Sequence, residues 1–105
     1  METIKKFNNL VGQYFKEEHH ISFYEKKLGL KSKYLSKLSK KHNALPPCQV
    51  LLNKQIEYSK LLLQNSHKTI KEIAEEMNFE DQYYFSKLFK NKTGVSPSEF
   101  RKIKE

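Results

Sequence analysis

The feature that most restricts this chain is that it says nearly the same thing twice, about fifty residues apart. Tyr34-Leu-Ser-Lys-Leu-Ser-Lys-Lys41 is echoed by Tyr84-Phe-Ser-Lys-Leu-Phe-Lys-Asn91. Before each lies a short helical pattern that ends in a turn residue and an apolar residue, Leu28-Gly29-Leu30 in the first copy and Met77-Asn78-Phe79 in the second. At an offset of 49, Ile21, Leu28, Gly29 and Leu30 align with Ile70, Met77, Asn78 and Phe79. After one extra residue in the second turn the offset is 50, and Tyr34, Leu35, Ser36, Lys37, Leu38, Lys40 and Pro47 align with Tyr84, Phe85, Ser86, Lys87, Leu88, Lys90 and Pro97. Such a period marks one supersecondary unit used twice, here a helix, a sharp turn and a second helix.

Helical periodicity and punctuation extend this reading over the chain. Ile4, Phe7, Leu10, Val11 and Tyr14 follow the spacing of a one-sided helix. A second helix is predicted from about Ile21 to Leu28, closed by Gly29 in the left-handed geometry, and a third from near Ser32 to His42 with Leu35 and Leu38 turned inward. Pro46 and Pro47 suit the first turn of a long helix through Leu51, Ile56, Ser59, Leu62 and Leu63 to about Asn65. Thr69-x-x-Glu72 is a capping box ahead of the stripe Ile70, Ile73, Ala74 and Met77, and Asn78 tolerates the left-handed turn that follows. Asp81 can cap the next helix, whose inward residues should be Phe85, Leu88 and Phe89. Ser96-Pro97-Ser98-Glu99 opens a short last helix carrying Phe100 and Ile103. The fold class is therefore all-α, seven helices and no strand candidate. We divide it into a first helix-turn-helix subdomain over residues 1–45, a linker helix over 46–66 and a second subdomain over 67–105.

Charge says what the repeat is for. The 105 residues carry 20 Lys+Arg against 12 Asp+Glu, a net charge of +8, which suits a polyanionic partner. Residues 31–41 hold Lys31, Lys33, Lys37, Lys40 and Lys41 with no acid, and residues 82–92 hold Lys87, Lys90 and Lys92 with none. Glu72, Glu75, Glu76, Glu80 and Asp81 cluster instead on and just after the helix before the second repeat helix. Positive charge focused on the second helix of each copy is the electrostatic footprint of a helix that enters the major groove of DNA. The long helix, 19 residues from Pro47 to Asn65, would span about 28 Å at ~1.5 Å per residue, so with its end turns it can set the two reading helices near the ~34 Å between successive major grooves.

Other classes fare badly. A single cysteine, Cys48, excludes an internal disulfide framework and reads as a small, partly buried helix residue in a reducing compartment. No apolar run approaches the roughly 18 residues of a membrane span, and the first residues lack a signal-peptide core, so a cytoplasmic location is expected. His19, His20, His42 and His67 have no ligand-spaced partners, three glycines make no phosphate loop, and no carboxylate pair has an apolar setting. Neither catalysis nor a metal or cofactor is expected. The competing class is a protein-interaction module whose basic helix faces bind an acidic partner, and periodicity alone leaves it open.

The stretch Ile70-Lys-Glu-Ile-Ala-Glu-Glu-Met-Asn-Phe-Glu-Asp-Gln-Tyr-Tyr-Phe-Ser-Lys-Leu-Phe-Lys-Asn-Lys-Thr-Gly-Val-Ser-Pro-Ser-Glu-Phe-Arg101 resembles the signature of AraC/XylS-type transcription regulators, and the first copy extends the resemblance over nearly the whole chain. The resemblance implies a homeodomain-like, seven-helix domain in which a long helix joins two helix-turn-helix subdomains. It implies sequence-specific binding of double-stranded DNA in adjacent major grooves and recruitment or repositioning of RNA polymerase. It also implies an excised C-terminal domain, monomeric by itself, because most members carry an effector-binding or dimerisation domain as well. Measured against that pattern, Asn78 replaces the usual glycine, Glu25 stands where alanine allows close helix approach (Ala74 in the second copy), and Lys31 replaces a serine cap. Ser39 and Ala44 replace the residues kept as Phe89 and Gly94, and Gln55 sits where arginine is frequent. The first reading head should be the less regular one.

By similarity and helix position, the base-reading residues are Lys33, Ser36 and Lys37 on the first recognition helix and Gln82, Tyr83, Ser86 and Lys87 on the second. Lysine can donate to guanine O6 and N7, glutamine can pair with adenine N6 and N7, and tyrosine can pack on thymine methyl groups. Phosphate contacts are expected from Ser32, Tyr34, Lys40, Thr69, Tyr84 and Lys90, together with amides at helix starts.

Overall fold

Local signals in the sequence decide where the helices start and stop. A computed structural model describes residues 2–104, and side chains through residue 103. Among the described residues every regular element is an α-helix: α1 (Glu2–Tyr14), α2 (Ile21–Lys27), α3 (Tyr34–Lys41), α4 (Pro47–Asn65), α5 (Ile70–Glu76), α6 (Gln82–Thr93) and α7 (Pro97–Lys104). They fall into two compact units, one ending at Lys54 and the other starting at Gln55.

In the first unit α1 packs against α2 and α3. The α1 stripe buries Phe7 and Val11; Phe7 meets Tyr24 of α2, and Leu35 and Leu38 of α3, Phe15 and Leu51 are buried in the same unit. Rings stand edge to face, with Phe7 and Tyr24 centroids 5.6 Å apart and Phe23 and Tyr24 5.2 Å apart, the arrangement favoured by the aromatic quadrupole. The Tyr24 hydroxyl is accommodated inside by donating to the Glu18 carbonyl at 2.8 Å. Burial, and then the charges of Glu18 and Glu17, push its phenol up to about 12, so the ring stays neutral at any ordinary pH.

In the second unit α5 packs on α6 and α6 on α7. An unbroken aromatic run, Phe79 to Phe85 (5.4 Å), Phe85 to Phe89 (6.0 Å) and Phe89 to Phe100 (5.5 Å), threads from the turn through α6 into α7, with Ile73, Ala74 and Met77 closing it from α5. Leu88, expected inward, is only half-buried, whereas Phe85 and Phe89 are fully buried. From α4, Ile56, Ser59 and Leu63 turn inward. Ser59 returns its hydroxyl to the Gln55 carbonyl at 2.8 Å, which explains how a fully buried serine is tolerated in mid-helix.

Two expectations about burial fail, for Leu88 above and for Cys48. Cys48 is exposed, since in the first turn of α4 it falls on the outer side of the helix that buries Pro47 and Leu51. On α7, Pro97 and Phe100 are buried and Ile103 is 66% exposed.

Candidate nucleic-acid interface

Each unit presents one helix, a turn and a second helix, built from the same parts. In the second unit the capping box forms as the sequence requires: Thr69 N–H donates to Glu72 Oε1 at 2.8 Å and Glu72 N–H donates to Thr69 Oγ1 at 3.1 Å. After α5, Asn78 takes φ 60, and the Asn78 and Phe79 amides return to Glu75 and Ala74 carbonyls. Asp81 then accepts the Tyr84 amide at 2.8 Å and starts α6. Gly94, at φ 90, ends it. Twelve residues thus stand as a reading helix with Phe85 and Phe89 wholly buried beneath.

The outer face of α6 carries the expected residues. Tyr83 is 78% exposed, Tyr84 52%, and Lys87 and Lys90 are also exposed; Gln82 and Ser86 are half-buried at its edges. Tyr84 is only partly packed: its ring rests 6.2 Å from Phe79 while half of its surface remains open. The nearby acids are largely committed within the protein. Glu72 and Asp81 hold helix-start amides, and Glu76 pairs with Lys68 at 3.2 Å and accepts the Tyr58 hydroxyl at 3.4 Å. Thr69, expected among the phosphate-binding residues, is exposed, but its amide donates to Glu72 and its Oγ1 accepts the Glu72 amide, which leaves its hydroxyl proton to offer a phosphate.

The first unit differs where the sequence departs from its second copy. Gly29 takes φ 67 after α2, as expected. The recognition helix, however, begins at Tyr34 rather than near Ser32 and ends at Lys41, eight residues against twelve in α6. Lys33 sits before it with φ 67, in the left-handed region, and its amide donates to Glu25 Oε2 at 2.7 Å. Lys33 therefore does not share a regular helical face with Ser36 and Lys37; it projects from the strained entry to α3. At the other end Asn43, at φ 55, provides the left-handed stop that Gly94 gives α6. Ser32, Lys33, Tyr34, Ser36, Lys37 and Lys40 are all exposed, and Leu35, Leu38 and Ser39 are buried.

Glu25 is the residue whose role the sequence misstates. Read as an obstacle to close helix approach, it is in fact 8% exposed and anchors the entry to α3. Its signal was the absence of an Asp81 equivalent, since the Lys31 side chain at that position has no acceptor and only its carbonyl takes an amide, that of Tyr34. Arg101 was also missed. Its Nε donates to the Leu63 carbonyl at 3.0 Å and its Nη2 to the Ser66 carbonyl at 3.5 Å, satisfying the end of α4.

A family model described as a helix-turn-helix domain matches residues 24–103, from within α2 into α7. The chain belongs to the AraC/XylS-type family of helix-turn-helix DNA-binding domains. The Msm operon regulatory protein of Streptococcus mutans is 42% identical over 77 residues, which are 73% of this chain and 28% of that protein. The chain thus spans little more than a quarter of that relative's length. Among solved structures, the C-terminal domain of the two-component response regulator yesN from Fusobacterium nucleatum is 32% identical with a TM-score of 0.87, covering 96% of this chain and 99% of that one. The C-terminal domain of AraT, a response regulator from Geobacillus stearothermophilus, is 25% identical with a TM-score of 0.88, covering 98% and 86%. Among the described residues no group of three or more His, Cys, Asp or Glu is placed to hold a metal ion. Nor is any helix of the described residues long and apolar enough to cross a membrane.

Proposed function

We propose that this AraC-type domain reads double-stranded DNA in a sequence-specific manner by laying α3 and α6 in adjacent major grooves, and so takes part in regulating transcription. The observation that carries the reading is the two-sidedness of α6, with Tyr83, Lys87 and the edges of Gln82 and Ser86 outward over a fully buried Phe85 and Phe89. On this reading Lys33, Ser36, Lys37, Gln82, Tyr83, Ser86 and Lys87 approach base edges, while Ser32, Tyr34, Lys40, Thr69, Tyr84 and Lys90 position the phosphates. Residues 1–45 and 67–105 act as the two heads and 46–66 as the link between them. A bacterial, cytoplasmic setting follows, with the isolated domain acting as a monomer and RNA polymerase as the protein partner. Lysine at both central reading positions lacks the bidentate fork of arginine, so discrimination per contact is modest.

Two measurements test this. Selection from a random duplex pool should yield a site with two half-sites about 10 base pairs apart. Anisotropy titration on the selected site should show a log–log salt slope of about −2 to −5, the range for two to five lysines at phosphates. No binding, or binding indifferent to salt, would favour the protein-interaction reading. Steep salt dependence without a selected sequence would reduce the domain to non-specific DNA coating.

A further inference from the structure

We propose that Glu25 is a positioning residue for the first recognition helix: a carboxylate lent by α2 that fixes where α3 begins and hence which side chains face the groove. The proposal rests on the DNA-reading role argued above. In the second copy the entry is local. Asp81, one residue before α6, accepts the Tyr84 amide, and Ala74 lets the two helices approach. In the first copy both positions are changed together: Glu25 replaces Ala74 and Lys31 replaces Asp81. The N-cap residue Lys33 makes no side-chain cap bond of its own, and its amide is held instead by Glu25 from the preceding helix. The Tyr34 amide, counterpart of the one Asp81 holds, falls to the Lys31 carbonyl at 3.1 Å, and the side-chain cap now comes from the neighbouring helix and takes the amide one residue earlier. Alignment at an offset of 50 makes Ser32 the counterpart of Gln82, the first residue of α6, yet α3 starts at Tyr34. Two residues that lie on the reading helix in one copy lie on its approach in the other.

The consequence is specific to recognition. A left-handed lysine is a conformation that L-residues avoid unless the surroundings hold it. Glu25, 8% exposed and bonded to that residue's amide at 2.7 Å, is what holds it. Lys33 is thereby aimed from a fixed backbone rather than from a helix turn. The first head then reads bases with a different set of directions from the second, although Tyr34-Leu-Ser-Lys37 and Tyr84-Phe-Ser-Lys87 are nearly the same sequence.

The test uses the full chain, its selected DNA site, and four variants: Glu25→Ala, Glu25→Gln, Lys31→Asp, and Glu25→Ala with Lys31→Asp. The first readout is the Lys33 amide in the free protein, by NMR shift and hydrogen exchange. Glu25→Ala should move the resonance upfield and remove its protection, while Glu25→Gln, which keeps an acceptor oxygen, should preserve both. The second readout is base discrimination at each half-site, measured as ratios of affinity so that uniform charge effects cancel. Glu25→Ala should lower discrimination at one half-site by roughly three- to tenfold, the range of a lost helix cap, and leave the other unchanged. The double variant rebuilds the Ala74–Asp81 arrangement and should restore discrimination with altered base preference, whereas Lys31→Asp alone should weaken binding without changing preference. An unchanged Lys33 amide in Glu25→Ala overturns the proposal. So does an equal loss of discrimination at both half-sites, which would mark Glu25 as general scaffold. If the parent chain selects only one half-site, the two-headed reading falls, and the amide measurement alone then decides for or against Glu25.

Discussion

Arg101→Ala is expected to destabilise the second unit without touching DNA recognition. Arg101 is half-buried on α7, and its guanidinium reaches back across the chain to Leu63 and Ser66 at the end of α4. The carbonyls of a last helical turn have no partners of their own, and a cation at that end also meets the negative pole of the helix. The bond to Leu63 at 3.0 Å is a sound charge-assisted contact, whereas 3.5 Å to Ser66 is marginal. One such bond is worth about 1.5–3 kcal/mol when its partner is left behind, so ~2 kcal/mol is the working figure. For a domain of this size each kcal/mol moves Tm by about 4–8 °C, giving a fall of roughly 8–16 °C. Thermal unfolding followed by circular dichroism measures it. Arg101→Lys separates charge from shape: an ammonium keeps the attraction to the helix end, about 0.3–1 kcal/mol, but loses the planar fork, so it should recover only a few degrees. A Tm for Arg101→Ala within about 2 °C of the parent would refute the assignment, because ~2 kcal/mol cannot hide in that interval. Full recovery by lysine would show that charge alone, not the guanidinium geometry, closes α4.

Lys87→Ala should cost about 1–3 kcal/mol on the selected site and relax preference at one base pair, while Lys90→Ala should weaken all sequences alike and reduce the salt slope by about one unit; equal losses on every sequence from both would show that Lys87 contacts phosphate. Asp81→Ala leaves the Tyr84 amide without its acceptor and should cost about 1 kcal/mol in urea unfolding, with Asp81→Ser recovering most of it. Glu72 and Glu99 are held below the ordinary carboxylate value of 4.5, Glu72 chiefly by the Thr69 amide and Glu99 chiefly by the Ser96 amide. Because folding lowers these values, their contribution is present above that range and is lost as pH falls through it. Urea midpoints should therefore drop on acidification below 4.5, and the double change Glu72→Gln with Glu99→Gln should flatten that drop. An equally steep drop in the double variant would place the acid-labile groups elsewhere.

Much of the second head was legible because its signals are local. Thr69 and Glu72, Asp81, Gly94, and Ser96 and Glu99 each lie within three or four residues of the amide or turn they govern, so spacing alone locates them. The apolar stripes of α1, α5 and α6 show which face is buried for the same reason. The first head was less legible at its entry. Spacing suggested a helix from Ser32, and no local pattern reveals that a carboxylate eight residues earlier takes the Lys33 amide. Leu88 was misplaced because periodicity gives only a direction, and the fully buried Phe85 and Phe89 hold the centre of that face.

By itself, the order of residues determined the all-α class, the duplicated helix-turn-helix plan, the left-handed turns at Gly29 and Asn78 and the basic outer faces, since these depend on backbone propensity and periodicity within a few residues. Only the tertiary structure decided that Glu25 acts as a cap rather than an obstruction, that α3 starts at Tyr34, and that Arg101 closes α4. Those outcomes hang on bonds between groups far apart along the chain, whose meeting is fixed by packing and has no periodic signature.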